Sequence, residues 1–127
     1  SYNSNVWGGT LPRQGICPSG WHVPSDVEWT VLTNFIGGEA GRMLKASSDW
    51  YASGKGLDTY GFRALPAGSL LNGRFFDNVA MYTYFWSSSE SGEDIVWSRT
   101  LTVGFDVKIS RHNKNRGFSV RCLKNGV

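Results

Sequence analysis

Side chains that could carry acid–base or metal chemistry are few in this chain, and they are spread along it. Its two histidines, His22 and His112, are too few for a histidine-based metal site with the spacing that zinc prefers. His22 lies just before a predicted helix, where a structural hydrogen-bonding role is favoured over catalysis. His112 lies in the basic, asparagine-rich turn 111–116, which favours a surface residue over a general base.

Serines and carboxylates offer two other kinds of chemistry. The run from Ser87 to Ser89 is not surrounded by a nucleophile elbow, so we interpret it as a hydrogen-bonding cluster at a strand end. Glu90, Glu93 and Asp94 are close enough in sequence for an acid–base pair, but they lie in a glycine-containing loop that is typical of solvated side chains. We therefore predict no catalytic residue.

The elements that would position these residues begin with one helix. Ser25 and Glu28 form the pattern of a capping box, in which the serine hydroxyl and the glutamate side chain each bond a free backbone N–H at the helix start. Trp29, Leu32 and Ile36 then share one face at helical spacing, and the glycines at 37–38 end the helix. A weaker second helix is predicted over 39–46.

After the helices, apolar residues recur with a period of two, which predicts short strands separated by glycine-rich turns. The predicted strands are Phe62–Pro66, Met81–Ser87, Ile95–Val103, Phe105–Arg111 and Phe118–Leu123. A helical layer followed by antiparallel strands predicts an α+β fold. The apolar positions on these faces predict a core of Trp21, Trp29, Leu32, Ile36, Phe62, Leu65, Trp86, Trp97, Leu101, Phe118 and Val120.

The strand over 95–103 and the strand that follows it also predict a binding surface. If Trp97 and Leu101 face inward, alternation turns Ser98, Thr100 and Thr102 outward, and Phe105, Lys108 and His112 add an aromatic ring and positive charge. A few aromatic and cationic side chains often carry most of the energy of a protein interface. We expect a protein or acidic-glycan ligand here; the alternatives are an ordinary solvated hairpin, or a sugar site on the exposed aromatic residues Tyr51, Tyr60, Phe76 and Phe105.

Length and composition limit the protein classes that need consideration. The 127 residues fit a single domain over 1–127, and 40% hydrophobic residues are typical of a globular chain. No apolar run approaches the roughly 20 residues of a membrane-spanning helix. Because the chain opens at Ser1 without a methionine or a secretion signal, we expect it to be a piece excised from a longer protein.

Charge is distributed unevenly along the chain. Residues 1–98 contain six Lys/Arg and nine Asp/Glu, a net charge of −3, whereas residues 99–127 contain seven Lys/Arg and one Asp, a net charge of +6. A basic segment can mark a nucleic-acid surface. No helix-turn-helix, RNA-binding or zinc-finger signature accompanies it, however, so we interpret it as a solvated sheet face and expect no nucleic-acid partner.

Four stretches carry a resemblance to a known family. They are ICPSGWHVPSDVEW at 16–29, GFRALPAG at 61–68, FWSSSE at 85–90 and GFSVRC at 117–122. In this order and spacing they resemble the Fibrobacter succinogenes major paralogous domain, which is abundant in surface and secreted proteins of Bacteroidetes. The resemblance covers about residues 11–125. It implies an extracellular or cell-surface location for the parent protein.

The resemblance also implies a fold. The family is similar to formylglycine-generating-enzyme-like domains within the C-type lectin fold, which implies one main N-terminal helix, a short second helix and a small twisted antiparallel sheet. The two ends of such a domain meet. With an even cysteine count and an exported setting, this arrangement predicts a disulfide between Cys17 and Cys122.

Departures from these relatives decide the expected function. Formylglycine-generating catalysis needs a pair of copper-binding cysteines, whereas Cys17 and Cys122 both lie in structural motifs, so we expect no enzyme and no cofactor. The Glu-Pro-Asn or Gln-Pro-Asp loop and the Trp-Asn-Asp strand of calcium-dependent lectins do not occur, so we expect no metal.

The sequence thus predicts a calcium-independent, monomeric ligand-binding or adhesion module. By analogy with hypervariable members of the fold, its late strands would tolerate diversification. The alternatives are a structural or assembly module of a surface appendage and, third, a formylglycine-generating-like enzyme.

Overall fold

The computed structural model describes residues 13–51, 54–71, 75–77 and 79–126. The described part of the chain contains two helices and several short antiparallel strands, which confirms the α+β class. In chain order the elements are β1 (Trp21–His22), α1 (Asp26–Ile36), α2 (Ala40–Leu44), β2 (Ser69–Leu71), β3 (Phe75–Asp77), β4 (Thr83–Glu90), β5 (Ile95–Leu101), β6 (Val107–Asn113) and β7 (Leu123–Lys124).

Helix α1 starts and ends as its sequence predicts. The backbone N–H of Glu28 donates to the Ser25 hydroxyl at 3.1 Å, and the Glu28 carboxylate accepts from the Ser25 backbone N–H at 2.9 Å. Gly37 ends the helix with a φ of 82°, a conformation that favours glycine, and its N–H donates to the carbonyl of Thr33. The capping box is therefore confirmed, and the helix packs Trp29 into the core.

Three antiparallel strands in the order β4-β5-β6 form the largest described sheet, so β5 is its central strand. β2 pairs with β3, and β1 pairs with β7, which brings the two ends of the described chain together. Two predicted strands are wrong. Residues 62–66 contribute only an isolated bridge between Ala64 and Lys45, and residues 118–123 contribute only Leu123 to β7 and a bridge between Ser119 and Phe85.

The core lies between α1, α2 and the inner face of the sheet. It consists of Trp29, Leu44, Ala46, Trp50, Ala64, Phe85 and Leu101, with Leu32, Ile36, Phe62 and Val107 packed against it. Of the remaining predicted core residues, Trp86 is buried, and Trp97, Phe118 and Val120 are half-buried. Trp21 and Leu65 are exposed, because alternation along the chain turns their neighbours His22 and Ala64 inward instead.

Two buried cations join the helices to the sheet. The Arg99 guanidinium on β5 donates to the Asp26 carboxylate at 2.6 Å and to the Thr30 hydroxyl at 3.1 Å, both on α1. The Lys45 ammonium donates to the carbonyls of Thr102 and Gly104 in the β5–β6 turn. Burial lowers the pKa of Lys45, with a further contribution from the positive charge of Arg42. These contacts hold the hairpin against the core.

Candidate functional site

The two ends of the described chain are fastened by covalent and polar contacts. Cys17 and Cys122 form a disulfide, as predicted, which closes a loop with a sequence separation of 105. Beside it, β1 pairs with β7. We name the group formed by Cys17, His22, Glu28, Cys122 and Asn125 the terminal clamp.

His22 occupies the middle of the terminal clamp, and its side chain is buried. Its Nδ1 lies 2.6 Å from the Asn125 side-chain oxygen, and its Nε2 lies 2.9 Å from a Glu28 carboxylate oxygen. Burial disfavours the charged imidazole, but the hydrogen bonds to Glu28 and Asn125 and the negative charge of Glu28 outweigh it, so the pKa of His22 is raised. The pKa of Glu28 is lowered: its hydrogen bonds to Ser25 and His22 outweigh its burial. Both ring nitrogens are engaged, which confirms the structural role.

A groove of about 340 Å³ lies next to the terminal clamp. Its walls are mostly apolar and are formed by Pro24, Glu28, Trp29, Leu32, Phe62, Arg121, Cys122 and Leu123. The Arg121 guanidinium lies 4.0 Å from the centre of the Phe62 ring and donates to the Phe62 carbonyl at 2.6 Å, and burial lowers the pKa of Arg121. Glu28 is committed to Ser25 and His22. Both charged groups of the groove are therefore engaged in contacts that stabilise the fold.

The serine run has the predicted hydrogen-bonding role. The Ser87 hydroxyl donates to the carbonyl of Trp97 at 2.8 Å, and the Ser89 hydroxyl accepts from the backbone N–H of Asp26 at 2.8 Å. These bonds attach the end of β4 to β5 and to the first turn of α1. The carboxylate cluster is divided: Glu90 pairs with Arg13 and Lys114, whereas Glu93 and Asp94 are exposed as expected.

His112 does not lie on the surface as predicted. It belongs to β6, is half-buried, and packs edge-on against the rings of Tyr84 and Phe118. Its Nδ1 lies 2.9 Å from the Ser98 hydroxyl. Burial and the positive charge of Arg116 lower the pKa of His112. Because Ser98 is 0% exposed, this serine–histidine pair cannot reach a substrate.

Only part of the predicted binding surface is exposed. Ser98 and Thr100 are buried, so their predicted outward orientation is wrong. The physical reason is that β5 is a central strand covered on both faces: Arg99 contacts α1 on one side, and Ser98 contacts His112 on the other. Thr102 is half-buried and its hydroxyl accepts from the Gly104 N–H within the turn.

Phe105 and Lys108 keep the exposure that the sequence predicts. The Arg42 guanidinium lies 4.9 Å from the centre of the Phe105 ring. Among the loop aromatics, Tyr51 and Tyr60 are exposed, and Tyr60 lies beside the exposed ring of Phe35. Phe76 belongs to β3, and its side chain lies outside the described residues. The structure therefore does not gather the six predicted ligand-binding residues into one patch.

A different cluster is exposed on the sheet. Ile95 and Trp97 on β5 and Ile109 and Arg111 on β6 share one face, because Trp97 is paired with Arg111 and Arg99 with Ile109. The Arg111 guanidinium lies 5.5 Å from the centre of the half-buried Trp97 ring, and Ile95 and Ile109 are 41% and 59% exposed. We name these four residues the edge patch. In the sequence, Ile109 and Arg111 alternate with Ser110 and His112, and this pattern is the signal that could have identified the edge patch.

Among residues 13–51, 54–71, 75–77 and 79–126, no group of three His, Cys, Asp or Glu side chains is placed to hold a metal ion. No helix in the same ranges is long and apolar enough to span a membrane. The edge patch offers apolar side chains and an arginine, which suit contact with another molecule.

Comparison with known proteins identifies one family. The model of the Fibrobacter succinogenes major domain matches residues 2–124 of the chain, nearly its whole length. No curated protein and no solved structure matches the chain.

Proposed function

Because the chain belongs to the Fibrobacter succinogenes major domain family, we propose that it is a non-catalytic module of an exported bacterial protein that binds a protein ligand through the edge patch. The observation that carries this proposal is the exposed group of Ile95, Trp97, Ile109 and Arg111. Tryptophan and arginine are enriched among the residues that dominate interface energies, and partial burial of Trp97 keeps its ring in place before a ligand arrives.

The proposed extracellular location is supported by the contacts between the two ends of the described chain. A disulfide between Cys17 and Cys122 is compatible with an oxidising compartment outside the cytoplasm, where such bonds persist. The pairing of β1 with β7 joins the two ends of the domain, as the proposed C-type-lectin-like arrangement requires. Both features support the proposal that the parent protein is at the cell surface or outside the cell.

A binding role is favoured over catalysis because both histidines are already engaged in contacts within the chain. His22 is held by Glu28 and Asn125, and His112 is packed among aromatic rings beside a buried serine. The edge patch contains no carboxylate, so recognition there needs neither calcium nor another metal.

Helix α1 supports a second candidate function, that of an assembly module in a surface appendage. Val27, Val31 and Phe35 recur every four residues on the outer side of this helix, and Phe35 is 76% exposed. Such an apolar stripe suits a contact with a neighbouring subunit. The two candidate functions therefore predict contact through different surfaces: the edge patch for ligand binding and the outer side of α1 for assembly.

The test is binding of the 127-residue chain to arrays of purified surface proteins and glycans, followed by variants of each surface. Arg111→Glu is expected to weaken capture of an identified protein by about tenfold or more, since it replaces the cation of the patch with an anion. Tyr51→Ala, at an exposed residue elsewhere, is the matched control and is expected to bind normally. A chelator is expected to leave binding unchanged.

Three outcomes would contradict the proposal. Loss of capture in Phe35→Ser but not in Arg111→Glu would favour the assembly module. Glycan binding that depends on Tyr51 or Tyr60 would place the site on the loops. Binding abolished by a chelator, with the fold intact, would require a metal site.

A further inference from the structure

Strand β6 forms one edge of the three-stranded sheet. Within the described ranges it pairs with β5 and with no other strand. The direction of its backbone groups follows from the register, because the opposed residue pairs of two antiparallel strands alternate between two kinds. In the first kind the two residues exchange backbone hydrogen bonds. In the second kind their N–H and C=O groups point away from each other. The Lys114 N–H donates to the Asp94 carbonyl at 2.9 Å, so the adjoining pair Ile95–Asn113 is of the second kind.

Alternation then assigns the remaining pairs of this hairpin. Arg111, Ile109 and Val107 also belong to pairs of the second kind, so their N–H and C=O groups point away from β5. The Ser87 hydroxyl, which reaches the carbonyl of Trp97 from the β4 side, agrees with this assignment. We name Val107, Ile109 and Arg111 the open edge. No described residue makes a backbone hydrogen bond to these three residues from outside the hairpin.

We propose that the open edge binds an extended, acidic–apolar peptide strand of the partner by antiparallel strand addition. Exposed edges with free donors and acceptors commonly accept a further strand, with backbone bonds providing affinity and alternate side chains providing specificity. The inference rests on the proposed function, since it specifies how a partner docks beside the edge patch.

The register also specifies the side chains of the partner. A peptide residue that exchanges hydrogen bonds with Ile109 has neighbours opposite Lys108 and Ser110, and its next neighbours lie opposite Val107 and Arg111. Lys108 and Arg111 are exposed cations, and Val107 and Ile109 are apolar. The matching peptide reads acidic, any residue, apolar, acidic, apolar, from its N-terminal end.

Charge argues against a second copy of this chain as the occupant. Strand β6 contains two exposed cations, Lys108 and Arg111, and no carboxylate. Antiparallel pairing of two β6 strands about Ile109 would bring four such cations into one small area, and like charges across strands are destabilising. Residues 99–127 carry a net charge of +6, which extends this repulsion and favours an acidic partner.

The experiment titrates the full chain with a synthetic peptide, acetyl-Ser-Glu-Thr-Val-Glu-Val-Ser-amide, by calorimetry. Binding is expected to be saturable and to slow hydrogen exchange at the backbone amides of Ile109 and Arg111. N-methylation of the central valine removes the donor to the Ile109 carbonyl and is expected to weaken binding by about tenfold. N-methylation of the glutamate that follows is the matched control, because that N–H points away from β6.

A protein variant tests the second hydrogen bond of the same residue pair, which the Ile109 N–H donates to the peptide. Ile109→Pro removes an N–H that points outward and takes no part in pairing with β5, and proline is tolerated at such edge positions. It is expected to lose at least tenfold in affinity, whereas Ile109→Val, which retains the N–H, is expected to bind nearly as well as the parent. If the proline variant does not fold, the methylated peptides decide the question alone.

The outcomes separate the inference from the proposed function. Equal affinities for the two methylated peptides, or no binding of the parent peptide, would overturn strand addition. If Arg111→Glu nevertheless abolishes capture of an identified folded protein, the proposed function stands without it. If neither the peptide nor any arrayed protein depends on Arg111, both are overturned.

Discussion

The terminal clamp and the open edge use polar groups in opposite ways. At the clamp, His22 bonds Glu28 and Asn125 within the chain, and a disulfide closes the same region. At the open edge, the backbone groups of Ile109 and Arg111 point outward, and their side chains are exposed. The difference teaches that the most recognisable stretches, 16–29 and 117–122, maintain the fold, while the exposed side chains lie on a less distinctive strand.

The same contrast occurs between neighbouring strands of one sheet. Central strand β5 buries Ser98, Arg99 and Thr100, whereas edge strand β6 exposes Lys108 and Ile109. Two cations, Arg99 on β5 and Lys108 on β6, therefore differ in their accessibility. Position in the sheet, rather than residue type, decides which groups are accessible.

The largest expected effect comes from opening the terminal clamp. The double variant Cys17→Ser with Cys122→Ser is expected to lose about 4–5 kcal/mol of unfolding free energy, because a loop with a sequence separation of 105 gains much conformational entropy when the bond is absent. Urea denaturation measures the loss. A loss below about 1 kcal/mol, or two free thiols in exported protein by non-reducing mass spectrometry, would contradict this role.

A core substitution on the sheet is expected to have a similar but smaller effect. Phe85→Ala removes a buried ring that packs against Trp29 and Phe62 and is expected to cost about 3–5 kcal/mol. Ile109→Ala, on the same sheet face at the exposed edge, is the matched control and is expected to change stability by about 0.5 kcal/mol or less. Comparable losses in denaturant titrations would show that the edge is packed.

The pH dependence of stability distinguishes the two histidines. The raised pKa of His22 means that its contribution is complete below the unfolded-state value of 6.5 and is lost as the pH rises through its folded-state pKa. We expect a loss on the order of 1 kcal/mol, since Glu28 is 37% exposed and solvent screens its charge. The lowered pKa of His112 has the opposite effect, a loss of stability as the pH falls below 6.5.

Variants separate these two contributions. His22→Gln is expected to remove the loss on the alkaline side and to leave the loss on the acidic side. His112→Gln is the complementary control and is expected to do the reverse. Thermal melts between about pH 5 and 9 measure both contributions. If His22→Gln still loses as much stability as the parent when the pH rises, another group titrates on the alkaline side.

The smallest effect on stability is expected at the open edge. Lys108→Glu and Arg111→Glu are expected to change the free energy of unfolding by about 0.5 kcal/mol or less, because both side chains are exposed. Both are expected to weaken ligand binding, since they replace a cation that would face the proposed acidic partner. Normal binding by both variants, with altered binding in Tyr51→Ala, would move the site to the loops.

Local interactions explain which elements could be predicted. The capping box needs only Ser25 and Glu28, which are three residues apart, so the start of α1 is determined within one helical turn. Alternation identified β4, β5 and β6; β5 begins at Ile95 as predicted, and the other five ends differ from the prediction by two or three residues. The segments 62–66 and 118–123 have a strand-like pattern, but in the described residues they contribute only isolated bridges at Ala64 and Ser119 and, at Leu123, the short pairing of β7 with β1. Alternation indicates that a segment can form a strand, whereas continuous pairing depends on the packing of a neighbour against it.

The sequence by itself determined the helix with its cap and the α+β class, since both depend on local pattern, and the family resemblance added the pairing of Cys17 with Cys122. Only the tertiary structure decided which residues of β5 and β6 are accessible. Burial of Ser98 and Thr100, the inward turn of His112 and the exposure of Ile109 all follow from strand order. Alternation places residues on two faces, but packing on each face determines which of them solvent or a ligand can reach.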